Sequence, residues 1–152
     1  MKYSLLIMLA FMYMYISCKG SYSAEENKTN SNFPMANMKI IIKVNLQTFT
    51  ATLLDNKSAK AFKEMLPLTM EMIELNGNEK YVDLPNSLPA NSYNPQMIKN
   101  GDLMIYGTKT LVLFYKNFST PYSYTKLGSL DDVTGLTTAL GSGNVTVTFE
   151  LE

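Results

Sequence analysis

From residue 38 onward the chain alternates. Ile40, Ile42, Val44 and Leu46 are interleaved with Lys39, Ile41, Lys43 and Asn45, the period of two that marks a strand with one buried face. A tight turn at residues 45–48 leads to Phe49, Ala51 and Leu53, which alternate with Thr50 and Thr52, so the first two strands are predicted to form a hairpin. After Asp55 the period changes. Asn56 or Ser58 is a candidate N-cap, Ala59, Phe62, Met65 and Leu66 recur at helical spacing, and Pro67 blocks continuation of the helix. Further strands are predicted at residues 68–72, 102–106, 111–115, 122–127 and 145–151, with turns at Asn76-Gly77, Asn100-Gly101 and residues 107–109. Residues 111–115 are apolar on both alternating sets, as in a strand covered on both faces. Residues 83–97, with prolines at 85, 89 and 95, read as a long ordered loop or surface flap. Asp131 or Asp132 is the predicted cap of a second short helix through Leu136 and Leu140, ended by Gly141.

The pattern amounts to seven or eight strands with two short helices, both at connections between strands. Strands so apolar need closure, because open edges would pair with other chains. The predicted class is therefore mainly β, a closed or nearly closed barrel capped by helices.

The first 37 residues have a different character. Lys2 precedes an apolar stretch over residues 3–16 that is too short to span a bilayer comfortably, and small residues follow. This is the plan of a signal peptide over residues 1–17. Ile16-Ser17-Cys18 resembles the end of a bacterial lipoprotein signal, and Cys18 is the chain's single cysteine. Lipidation is expected at Cys18, with ordinary cleavage after Ser23 as the alternative. Residues 18–37, rich in Ser, Asn, Lys and Glu, read as a flexible polar tether, which leaves residues 38–152 as the domain. The expected location is the bacterial cell envelope, held to a membrane by lipid, or else the periplasm or exterior.

Thirteen basic residues balance thirteen acidic ones. No basic face is evident, and no nucleic-acid partner is expected. The chain has no histidine and no tryptophan, and every basic residue is a lysine. With one cysteine as well, this excludes Ser-His-Asp and Cys-His catalysis and the usual zinc sites, and it removes arginine's fixed fork for carboxylates or oxyanions. The composition favours a binding protein over an enzyme. Glu71, Glu74, Glu79 and Asp83 lack the calcium-loop spacing and read as a solvated turn. No metal and no cofactor is expected.

Several separated blocks carry a resemblance: FTATLLDNKSAKAFKEMLPLTMEMIELNGNEKY, LPNSLP, GDLMIYGTKTLVLFYKNFSTPYSYTKLG and GLTTALGSGNVTVTFE. In this order, between about residues 39 and 150, they resemble the bacterial cyclophilin-like domain family. The resemblance implies an eight-stranded β barrel closed by two helices. True cyclophilins are peptidyl-prolyl isomerases that use an arginine beside a pocket of Phe, Met, Trp and His. A chain without arginine, tryptophan or histidine has no positions to receive those roles.

Candidate chemistry therefore rests on aromatic residues. Tyr106, Phe118, Tyr122 and Tyr124 are the candidate ligand-binding set, with Phe114 and Tyr115 beside them. Tyrosine combines an apolar body with a polar tip, which suits a groove for a peptide or small apolar ligand. The same residues suit barrel filling, and in Tyr122-Ser-Tyr124 the two rings share one face whichever way it points. If a groove exists, it is expected between residues 85–95 and the 122–125 strand. Three functions follow: a non-catalytic ligand-binding module, a prolyl isomerase with an atypical site lacking arginine, or a structural envelope domain without a ligand.

Overall fold

A computed structural model describes residues 38–152. The signal peptide, Cys18 and the tether lie outside the described residues. Among the described residues ten strands and two helices follow one another: β1 (Lys39–Val44), β2 (Gln47–Leu53), α1 (Lys57–Glu64), β3 (Leu68–Leu75), β4 (Glu79–Asp83), β5 (Met97–Ile98), β6 (Asp102–Tyr106), β7 (Thr110–Phe114), β8 (Phe118–Ser119), β9 (Thr125–Leu130), α2 (Leu136–Leu140) and β10 (Val145–Leu151). Eight strands close an antiparallel barrel in the order β1-β10-β3-β4-β7-β6-β9-β2, and β5 and β8 form a separate two-stranded sheet. The predicted closed eight-stranded barrel with two helices is the fold of the chain.

Alternation builds the interior. Ile40, Ile42 and Val44 of β1 meet Phe49 and Ala51 of β2 on one side and Val147 and Phe149 of β10 on the other, all buried. Their neighbours face out, where Lys43 reaches Glu150 at 2.6 Å. The helices close opposite ends. Asn56 caps α1 by accepting from the Ala59 amide at 2.8 Å. The face of α1 carrying Ala59 and Phe62 is buried, and the Phe62 ring sits edge-on to Phe149 at 5.8 Å. At the other end α2 buries Leu136, Ala139 and Leu140.

Several expectations are corrected. Leu46 is fully exposed, because the hairpin turns at residues 45–46 and β1 ends at Val44. Residues 79–83 form β4, a strand that hydrophobic alternation did not mark. The predicted strand at 122–127 begins later, at Thr125, and Tyr124 makes only an isolated bridge with Tyr93. Neither aspartate caps α2, whose N-cap is Gly135. Asp131 instead accepts from Lys39 at 2.7 Å and from the Thr52 hydroxyl at 2.5 Å, and Asp132 accepts from the Thr134 amide at 2.8 Å.

β7 explains the doubly apolar run. Leu111 and Leu113 belong to the main core, whereas Val112 and Phe114 face outward and are buried in a second cluster with Ile98, Met104 and Tyr124. That cluster is an outer layer on the barrel wall. It is covered by the segments around β5 and β8, which pair as Met97 with Ser119 and Ile98 with Phe118.

Candidate functional site

The outer layer leaves a pocket of about 670 Å³ beside it. Its floor is the outer face of β4 and β7, through Tyr81, Thr110 and Val112. One wall is the β3–β4 turn, residues 75–79, and the other is the segment 118–124. In that turn Asn76 and Gly77 both adopt positive φ, and the Gly77 amide donates to Glu74 at 2.8 Å. The opposite wall is tied down by the flap. Thr120 donates its amide to the Gln96 carbonyl at 3.0 Å, and Asn94 donates through Nδ2 to the Pro121 carbonyl at 3.1 Å.

All four candidate aromatics line this pocket. Tyr106 packs edge-on to Tyr122 at 6.2 Å and tilted against Tyr124 at 5.7 Å. Tyr124 meets Phe114 edge-on at 5.4 Å, and Phe114 meets Phe118 at 5.7 Å. The rings thus form one continuous chain at distances favourable for aromatic pairs. The two tyrosines expected to behave alike divide. Tyr124 is 5% exposed and is part of the outer cluster, whereas Tyr122 is 58% and Tyr106 50% exposed. Burial, first of all, raises the Tyr124 phenol above its ordinary value of 10.0, and a hydrogen bond with the Thr120 side chain opposes the rise.

The groove expected between residues 85–95 and the 122–125 strand is not where the pocket lies. Tyr93 and Tyr124 exchange backbone hydrogen bonds of 3.0 Å in both directions, which joins the two segments at that point. Beyond that bridge a second depression does open between the two segments, lined by Pro89, Ala90, Asn91 and Tyr93 on one side and Thr125 and Lys126 on the other, but it holds none of the four candidate aromatics. Tyr115 also leaves the aromatic set. It points inside the barrel, where its hydroxyl donates to Glu74 at 2.8 Å.

The acidic turn is not simply solvated. Glu74 accepts from Lys80 and Tyr115 at the barrel mouth. Burial pushes its carboxyl up, but these bonds and the Gly77 amide hold it below the ordinary carboxylate range. Lys80 is fully buried, yet its ammonium also donates to the carbonyls of Gly141 at 3.0 Å and Gly143 at 2.5 Å. A buried charge so completely satisfied holds the α2–β10 connection to the wall and has no donor left for chemistry.

Glu79 is different. It is 9% exposed and lines the pocket, and its carboxyl has no hydrogen bond or ion pair among the described residues. Burial first, and the charge of Glu74 second, raise it above the ordinary carboxylate value. Asn78 beside it has a buried Oδ1 without a partner. Sequence reading placed Glu79 in a solvated acidic turn and missed Asn78 and Tyr81. The usable signal was alternation, which puts Glu79 and Tyr81 on one face, but nothing in the local pattern tells that this face is covered. Among the described residues no group of three or more acids, cysteines or histidines is placed to hold a metal ion.

No curated protein matches the chain. Among solved structures, a hypothetical protein of Archaeoglobus fulgidus shares 15% identity, covers 76% of this chain and 95% of its own, and superposes with a TM-score of 0.58. At that identity the likeness speaks for the fold. The sequence model of the cyclophilin-like family matches residues 42–150, which is most of the chain and nearly all of its barrel, and the chain therefore belongs to the cyclophilin-like family.

Proposed function

We propose that this protein is an exported, lipid-anchored binding module that takes a peptide or small ligand into the aromatic pocket on the barrel's outer wall and carries out no catalysis there. The observation that carries this reading is the pair of exposed rings, Tyr106 and Tyr122, packed against a buried third, Tyr124, over a pocket of about 670 Å³. Exposed aromatics held in fixed orientation beside a concavity lose little entropy when a ligand covers them. Export and anchoring at Cys18 rest on the N-terminal sequence.

The test is calorimetric titration of the full chain with acetyl-Gly-Xaa-Gly-amide peptides, Xaa running through the coded side chains. At least one class of Xaa is expected to bind, and Tyr106→Ala and Tyr122→Ala are each expected to weaken it about tenfold or more with unchanged thermal stability. Tyr124→Ala is expected to cost about 3 kcal/mol of stability, because it empties a buried aromatic site. Failure of every peptide to bind, or indifference to both exposed tyrosines, overturns the reading. Turnover of a proline-containing peptide well above the uncatalysed isomerisation rate would replace it with an isomerase.

A further inference from the structure

The pocket contains a charge without a counterpart. Among the described residues that line it, Glu79 is the one carboxylate, and no lysine is present. Glu79 is 9% exposed as a residue, and its carboxyl, open to the pocket, has no donor among the described residues, so a cation entering the pocket meets an uncompensated negative charge. Two residues further along β4, Tyr81 faces the same pocket, and Tyr106, Tyr122, Tyr124 and Phe118 surround it. Aromatic faces attract cations within about 6 Å of the ring centre, more strongly when both are desolvated. They also cover methylenes well. Carboxylate and ring faces both ask for one kind of guest, a cation that carries N–H donors and an apolar stem.

We propose that the pocket binds a protonated primary amine on an aliphatic stem, with Glu79 as counter-ion and the tyrosine rings enclosing the methylenes. The inference rests on the pocket being a ligand site. The amine has two possible sources with the same chemistry, a lysyl side chain in a peptide and a free alkylamine. A quaternary ammonium ion is a poorer guest, because it offers the carboxylate no hydrogen.

The experiment is titration of the full chain at pH 7 with n-hexylammonium, with 1-hexanol and with acetyl-Gly-Lys-Gly-amide against its norleucine counterpart. The ammonium probe or the lysyl peptide is expected to bind at least tenfold more tightly than its neutral partner, and Glu79→Gln is expected to reduce that affinity about 10- to 100-fold. Amine affinity is further expected to fall as the pH is lowered through the Glu79 titration, and Glu79→Gln to abolish that dependence. Binding of the peptide but not the free amine identifies the peptide as source, and the reverse identifies the small molecule. Equal affinity for charged and neutral probes, lost on Tyr122→Ala, overturns the amine inference and leaves the ligand pocket standing. Absence of binding by all four probes overturns the inference as well. The peptide panel above then decides separately whether the pocket binds anything else. The comparison of probes needs no variant, so it holds even if Glu79→Gln were to fold poorly.

Discussion

Glu79 and Lys80 are consecutive on β4, both buried, and they face opposite sides of the barrel wall. Register fixes the sides: Glu79 lies opposite Phe114 of the outer cluster and Lys80 opposite Leu113 of the inner core. Lys80 is satisfied by Glu74 and two carbonyls, whereas Glu79 has none of this. The difference has a pH signature. The Glu79 carboxyl in the folded chain sits above its ordinary value of 4.5, so the folded state holds that proton more tightly than the unfolded one. Its contribution to stability is full below pH 4.5 and is lost as pH rises through the folded value. Glu79→Gln removes this loss. The variant's melting temperature, measured without ligand, is expected to gain on the parent's between pH 4 and 7, and a constant difference across that range would contradict the assignment. No such residue could be picked from the sequence, where Glu79 looks like any acid after an Asn-Gly turn.

At the scale of elements, what could be read was whatever alternates. β1, β2 and β10 each bury one alternating set of apolar positions, β7 buries both of its sets, and α1 follows an Asn cap with a clear apolar face. β4 was missed because Glu-Lys-Tyr-Val-Asp has no such set: its inward Lys80 is buried as part of a polar network. The start of β9 was misplaced because Tyr122 and Tyr124 mimic strand alternation while serving the outer layer. β9 also carries a feature that no pattern announces. A Cβ on Gly128 would lie 2.3 Å from the Thr52 carbonyl oxygen and 2.9 Å from the Leu53 Cα, both backbone atoms of β2. These strands pair there, Leu53 opposite Gly128, and β6 shifts register against β9 at the same level. Gly128→Ala must therefore prise open the β2–β9 seam. It is expected to cost about 1–3 kcal/mol or slightly more, seen as a lower denaturant midpoint with unchanged slope. A midpoint equal to the parent's would mean that the seam is looser than the geometry says.

For the whole molecule the question is where the barrel is held. No helix among the described residues is long and apolar enough to cross a membrane; the proposed attachment rests on Cys18 and the apolar stretch before it. In a bacterial host the full chain is expected to partition with membranes and to carry the mass of a lipid. Cys18→Ala is expected to lose both, appearing in the soluble fraction, and unchanged retention and mass would refute the anchor.

The outer layer has a consequence for how such a protein changes. The pocket is built on the outside of a wall whose inner face already belongs to a complete core. β8 and residues 120–123 can thus vary in side chain while the enclosed packing stays as it is. On the proposed reading, recognition would be a coat laid over a finished barrel, and a designer who wanted a new guest would re-tailor the coat and leave the barrel uncut.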